Sequence, residues 1–136
     1  MTRSVKAHPP RKPPPSVFDP DCSARDALEL ISGKWAILVL GALRGGSMRN
    51  GALLRKIGGV SQKMLTQTLR GLECSGLVAR EDLRTVPPHV EYRLTPLGKS
   101  LSQTLALLDR WAERHFPQLD AAKARYLAVN RKGLRY

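Results

Sequence analysis

The residues best suited to chemistry in this chain lie between Val60 and Val78, and what they offer is hydrogen bonding rather than bond making. Gln62, Lys63, Thr66, Gln67 and Arg70 are the side-chain types that pair with base edges and backbone. A glutamine amide can bond two groups on adenine, hydroxyls donate or accept, and cations meet guanine or phosphate. Leu65, Leu69 and Leu72 follow i, i+4, i+7 spacing and form the opposite, inward stripe of one helix. Ser61 is placed to cap that helix through its hydroxyl, and Gly76 stands where a left-handed cap ends it. Any solvated amphipathic helix also carries a polar face, so the surroundings must decide between the two readings.

Those surroundings are cationic. The chain has 136 residues with 23 Lys+Arg against 11 Asp+Glu, a formal net charge of +12. From residue 30 to residue 72 there is no Asp or Glu, while Lys34, Arg44, Arg49, Arg55, Lys56, Lys63 and Arg70 all fall inside. A basic sector around a groove-sized helix is the footprint of phosphate-backbone binding. A basic surface that only aids solubility is the competing account. A membrane partner is disfavoured, because no basic amphipathic helix carries Trp or Phe on its apolar side. The longest apolar run, Trp35 to Leu40, is too short to span a bilayer. Residues 1–17 lack the apolar centre of a signal peptide. A soluble, cytoplasmic protein is expected.

The elements that must position the polar helix read as follows. Residues 1–20, with Pro9, Pro10, Pro13, Pro14, Pro15 and Pro20 among Arg3, Lys6, Arg11 and Lys12, form a basic extended arm. Ser23 opens a first helix, with Asp26 as an approximate capping box and Ala27, Leu28 and Ile31 on its buried side. Gly33 ends it, and Trp35 to Leu40 begins a helix buried nearly all round. Gly45-Gly46 close that helix, and Ser47-Met48-Arg49 can add a very short strand. Asn50 can cap a third helix with Leu53, Leu54 and Ile57 inward. A Gly58-Gly59-Val60 turn then leads to the polar helix, completing a helix-turn-helix arrangement. Lys34, Arg44 and Lys56 are candidates to grip phosphates.

After Gly76 the period changes to two. Leu77–Leu83 and His89–Leu94 read as a hairpin, with Pro87-Pro88 confined to the connection. A hairpin directly after the polar helix is a wing, with Arg84 at its tip and Arg93 on its outer side; one that only covers the core is the alternative. Thr95-Pro96 is a strong helix start. The stripe Leu97, Leu101, Leu105, Leu108 and Trp111 or Ala112, running to Phe116-Pro117, exceeds what so small a domain needs. Together with Leu28 of the first helix it predicts homodimerisation. Asp120 to Asn130 reads as another helix with a basic end, Arg131 to Tyr136. The fold class is mainly α with a small β-hairpin (α+β): a winged helix-turn-helix domain over 21–118 with N- and C-terminal dimerisation helices, between the arm at 1–20 and a C-terminal helix and basic tail at 119–136.

Catalysis finds no support. His8, His89 and His115 are isolated, and no glycine-rich phosphate loop, paired-carboxylate motif or metal-ligand spacing appears. No enzyme, cofactor or metal is expected. A winged helix serving only protein or RNA contacts is the rival class, and it leaves the acid-free sector unexplained.

At the motif level the chain resembles the HxlR-type winged helix-turn-helix transcriptional regulators, relatives of MarR. The resemblance rests on Ile31-Ser32-Gly33-Lys34-Trp35, Val60-Ser61-Gln62-Lys63-Met64-Leu65-Thr66, Leu72-Glu73-Cys74-Ser75-Gly76-Leu77-Val78, Val86-Pro87-Pro88-His89-Val90-Glu91-Tyr92 and Leu94-Thr95-Pro96-Leu97-Gly98. It implies a homodimer on a pseudo-palindromic operator of double-stranded DNA. The expected DNA-contacting residues are Lys34, Arg49, Lys56, Ser61, Gln62, Lys63, Thr66, Gln67, Arg70, Arg84 and Arg93. Asn50, Ala52, Thr68, Gly71 and His89 depart from residues frequent in the family, which leaves the operator sequence open. The resemblance also implies a cysteine before the first helix that in several members senses oxidants or electrophiles, and Cys22 occupies that place. A thiol beside a helix N-terminus meets the positive end of the dipole; Asp21 opposes this and Arg25 could assist. An inert, buried Cys22 is the alternative. Cys74, on the outer face of the polar helix, reads as a spectator. A small-molecule or oxidant effector is thus a possible partner.

Overall fold

The computed structural model describes residues 13–133. Residues 1–12 of the expected arm and 134–136 of the expected tail lie outside the described residues. The chain divides into two compact units, one ending at Gly33 and the other beginning at Lys34. The first unit holds α1 (Ser23–Leu30). Cys22 takes its N-cap position in extended conformation, without a side-chain capping bond. This corrects the expected Ser23–Asp26 capping box: the boundary lies one residue earlier, on a thiol that accepts hydrogen bonds weakly. No residue of α1 is buried, and Leu28 is 47% exposed. The inward face expected for Ala27, Leu28 and Ile31 is therefore not covered within this short unit.

The second unit runs α2 (Lys34–Ala42), a 3-10 turn (Leu43–Gly45), β1 (Met48–Arg49), α3 (Asn50–Lys56), α4 (Gln62–Cys74), β2 (Val78–Asp82), β3 (Val90–Leu94) and α5 (Pro96–Gly133). The strands form one antiparallel sheet in the order β1-β3-β2. Met48 lies opposite Tyr92, and Val78 opposite Leu94. The core gathers Val39, Leu40, Leu43, Leu53, Ile57, Leu65, Leu69, Leu72, Leu77, Val78, Leu94 and Leu105. α2 packs against both α4 and α5 without being enclosed, contrary to the expectation. Leu38 is exposed and Ile37 half-buried. Both line a cleft of about 430 Å³ that also includes Lys56 of α3, Ile57 just after it and Asp109 of α5.

Two caps fix the ends of α4. Ser61 Oγ accepts from the Met64 amide at 3.1 Å. At the other end Gly76 adopts φ 73°, the Leu77 amide reaches Leu72 O at 2.9 Å and the Gly76 amide reaches Glu73 O at 3.0 Å. This is a Schellman closure, and a side chain at Gly76 would strain it.

The start of α5 is bolted to that closure. Thr95 Oγ1 donates to Gly76 O and accepts from the Gly98 amide, and the Thr95 amide donates to Leu77 O. The helix then comes so close that a Cβ on Gly98 would lie 1.9 Å from Leu77 O. Contrary to the expected break near Phe116-Pro117, α5 is one helix of 38 residues with Pro117 inside it. Proline there removes one helical hydrogen bond, but strong helix formers follow, among them Ala121, Ala122, Lys123, Ala124, Leu127 and Ala128.

Two glycines of this region should respond oppositely to alanine. Gly98→Ala should lower unfolding free energy by at least about 2 kcal/mol through backbone overpacking. Gly71→Ala, in mid-α4 with nothing within 4 Å of the added Cβ, should raise it by about 1 kcal/mol. Urea titrations followed by circular dichroism check both signs.

Candidate nucleic-acid interface

The orientation of α4 follows from burial. Leu65 is 0% exposed, and Leu69 and Leu72 are each 2% exposed, so Lys63, Gln67, Arg70 and Cys74 turn outward and are exposed. Thr66 is half-buried on the flank, where its Oγ1 accepts from Gln62 Nε2 at 3.0 Å. That bond holds the two side chains together, while Lys63 and Gln67 make no side-chain bond among the described residues. Ser61 is exposed but already committed to the cap. The Thr68 hydroxyl donates to Met64 O within the helix.

The other expected contact residues divide into engaged and open groups. Arg49 bonds His89 through its guanidinium, and His89 in turn lies 2.8 Å from Glu91 Oε1. Arg93 Nε is 3.9 Å from Glu81 Oε2 across β2 and β3, a half-exposed pair of little energetic weight. Lys34 sits with its ammonium 4.5 Å from the centre of the neighbouring Trp35 ring. Lys56 is exposed at the end of α3, on the cleft that Asp109 and Glu113 of α5 also line. Arg84 is exposed at the wing tip with φ 49°, and its amide donates to Asp82 Oδ1 at 2.9 Å. That bond supports a left-handed conformation disfavoured for side-chain-bearing residues.

Arg44 leaves the phosphate-gripping group. Its Nε donates to Ser102 Oγ at 2.9 Å and its Nη2 to Ser102 O at 3.0 Å, with Asp109 Oδ2 at 3.6 Å. Ser102 is 1% exposed and its hydroxyl also reaches Leu40 O. Arg44 is thus a strut between the end of α2 and α5. Leu105 is likewise corrected: at 4% exposure it belongs to the chain's own core and cannot serve a partner. One face of α5 must cover its own domain before the other can face outward. Leu97, Leu108 and Trp111 remain 60%, 48% and 50% exposed, and Leu101 is half-buried.

Two residues absent from the expected set, Arg80 and Tyr92, stand with Thr66, Arg70 and Glu73 around a polar niche between α4 and the sheet. Their signal was the strand register, which sets Arg80 opposite Tyr92; sequence spacing alone does not bring β2 against β3. Cys22 is half-buried and Cys74 exposed, both as free thiols. Among the described residues no group of three His, Cys, Asp or Glu is placed to hold a metal ion, and no helix is long and apolar enough to cross a membrane.

Comparison with known proteins gives a consistent result. A family model described as HxlR-like helix-turn-helix matches residues 30–120. The HTH-type transcriptional regulator YtfH of Escherichia coli (strain K12) is 44% identical over 108 residues, 79% of this chain and 86% of that protein. The solved structure of ytfH from Salmonella typhimurium superimposes with a TM-score of 0.74 at 44% identity, covering 81% of this chain and 98% of that one. The redox regulator HypR in its reduced form gives 0.67 at 34% identity, over 72% of this chain and 97% of that one.

The strut assignment of Arg44 has a direct check. Arg44→Ala should destabilise the fold by about 1–2 kcal/mol, leaving Ser102 with two hydrogen bonds fewer. A thermal melt that does not move would return Arg44 to the surface.

Proposed function

Because the chain belongs to the HxlR-like helix-turn-helix family of transcriptional regulators, we propose that it acts as a homodimer binding a pseudo-palindromic operator in double-stranded DNA. It works by occupancy rather than catalysis, in the cytoplasm. The observation that carries the reading is the outward set of Lys63, Gln67 and Arg70 on α4, held there by three leucines at 2% exposure or less. In this reading α4 enters the major groove and Gln62, Lys63, Thr66, Gln67 and Arg70 meet base edges or adjacent phosphates. Ser61, Lys34, Arg49, Lys56, Arg84 and Arg93 hold the flanking backbone. The division into an arm at 1–20, a winged domain at 21–118 and a C-terminal segment at 119–136 belongs to the same proposal.

The dimer is assigned to the outward apolar residues of α1 and α5, chiefly Leu28, Leu97, Leu108 and Trp111, with Leu101 at the edge. All but Leu101 are at least 47% exposed in the single chain, and apolar patches of this kind mark interfaces. Two α4 helices then face successive major grooves roughly 34–36 Å apart. A signal that shifts the two copies changes this spacing and with it operator occupancy.

The test is a binding titration on the duplex protected when the DNA flanking its own gene is footprinted. Gln67→Ala should narrow the ratio between operator and random-sequence affinity, by up to about tenfold for a lost bidentate base contact. Lys56→Ala should weaken both duplexes alike. If neither duplex loses affinity between low and moderate salt, the protein- or RNA-contact alternative gains the ground.

Cys22 is proposed as the responsive thiol, supported by its half-buried place at the α1 N-cap and by similarity to a protein named a redox regulator. In a Cys74→Ser background, which removes the exposed thiol on the outward face of α4, treatment with N-ethylmaleimide should change operator affinity, and adding Cys22→Ser should abolish that response. Equal responses in the two proteins would reject Cys22 as the sensor.

A further inference from the structure

The niche between α4 and the wing has the donors, charge and position of an anion site. Its volume is about 390 Å³ and it is lined by Thr66, Arg70, Glu73, Arg80 and Tyr92. Thr66, Arg70 and Glu73 recur at i, i+4, i+7, so they share one side of α4. On a helical wheel of about 100° per residue, Thr66 and Glu73 fall on the flank between the leucine stripe and the outward face. Arg80 on β2 and Tyr92 on β3 are cross-strand partners, which puts their side chains on the same side of the sheet.

Unlike Arg44, Arg49 and Arg93, these two arginines are uncommitted, and they share one niche. Arg44 is held by Ser102 and Asp109, Arg49 by His89, and Arg93 lies near Glu81. Among the described residues, Arg70 and Arg80 have no ion pair within 4.0 Å and no side-chain hydrogen bond, although Glu73 shares their niche. The lining offers two guanidinium forks, a threonine hydroxyl whose proton remains available, and a phenol. Guanidinium forks of this kind match the paired oxygens of a phosphate.

We propose that this niche takes one backbone phosphodiester of the DNA beside the groove occupied by α4, clamping the reading helix and the wing to the same strand. The proposal rests on the DNA-binding reading above and adds Arg80 and Tyr92 to it. Charge selects the diester. Two guanidinium groups and one carboxylate leave a net +1, which a singly charged diester neutralises and a phosphate dianion overbalances. Position selects DNA over a free anion: the flank of a helix lying in the major groove faces the phosphates that wall that groove. The clamp fixes the angle between α4 and the sheet and carries no sequence information itself.

The test compares the native protein with Arg80→Gln and Arg80→Lys on operator and random-sequence duplexes across a salt series. Arg80→Gln should lose affinity on both duplexes by about threefold to tenfold, reduce the log–log salt slope by about one and leave their affinity ratio unchanged. Arg80→Lys should keep the slope, and neither variant should change the melting temperature by more than about a degree or two, since among the described residues the exposed Arg80 side chain makes no hydrogen bond or ion pair. Replacing single operator phosphates by uncharged methylphosphonates should then reveal a position in each half-site that weakens the native protein and not Arg80→Gln. If the native protein binds with a steep salt slope and Arg80→Gln keeps that slope, the niche is not a phosphate clamp and operator binding survives without it. If inorganic phosphate stabilises the native protein but not Arg80→Gln, with DNA affinities equal, the site belongs to a free anion and the DNA assignment is overturned. A native protein that binds no duplex brings down the underlying reading and this inference together.

Discussion

The burial of Leu65, Leu69 and Leu72 is the constraint on which the rest of this structure depends. Fully burying a leucine stabilises by roughly 1.5–3 kcal/mol, whereas exposed polar contacts such as Gln62 with Thr66 contribute far less. Rolling α4 by one residue would bring side chains such as Lys63 or Gln67 toward the core and leucines to water, so the leucine stripe alone sets the polar face outward. The caps then fix where the helix begins and ends. Ser61 determines the first turn, and the closure at Gly76 turns the chain directly into β2. Neither cap decides the face, but together they decide which residues lie at the two ends of it.

The same closure links α4 to the rest of the molecule. Gly76 O receives the Thr95 hydroxyl, Leu77 O receives the Thr95 amide, and Gly98 lies against Leu77 O with no room for a side chain. The first turn of α5 therefore cannot move without moving the end of α4 and the start of β2. Arg44 ties α5 to the end of α2 in the same manner, by two hydrogen bonds to the buried Ser102. With α5 as the proposed dimer helix, a change in how two copies meet reaches the reading helix through backbone contacts rather than flexible side chains.

How much of this was legible depended on whether the deciding partner was local. The leucine stripe, the Ser61 cap, the Gly76 stop and the Thr95-Pro96 start are local, and the structure reproduces each of them. The second wing strand forms where expected, but its burial does not alternate, since His89 and Glu91 are half-buried like Val90 and Tyr92. Long-range pairing was not legible. The segment from residue 30 to residue 72 contains no acid, yet folding brings Asp109 to Arg44, and His89 with Glu91 to Arg49. A charge sector read along the chain thus overstates the free cations on the surface. The same limit hid Arg80 and Tyr92, whose shared side requires the register of two strands. Proline misled in the opposite direction: Pro117 reads as a stop, but one lost hydrogen bond does not end a helix flanked on both sides by strong helix formers.

The unbroken α5 strengthens the case for a partner. Thirty-eight residues at a rise of about 1.5 Å each give a rod of about 57 Å, longer than its own domain needs. After His115 every residue up to Val129 is exposed, including Phe116, Leu119, Tyr126, Leu127 and Val129. An isolated helical segment of that length is marginal in water even with good propensity, and in proteins most helical stability comes from packing. Leu108, Trp111, His115, Leu119, Ala122, Tyr126 and Val129 follow three- and four-residue steps, the spacing of a helix that packs along another helix. Only their first turns adjoin the domain that the chain covers for itself. Among the described residues the remainder has a seam of the right period and nothing covering it, which is the arrangement expected of a helix completed by a second copy.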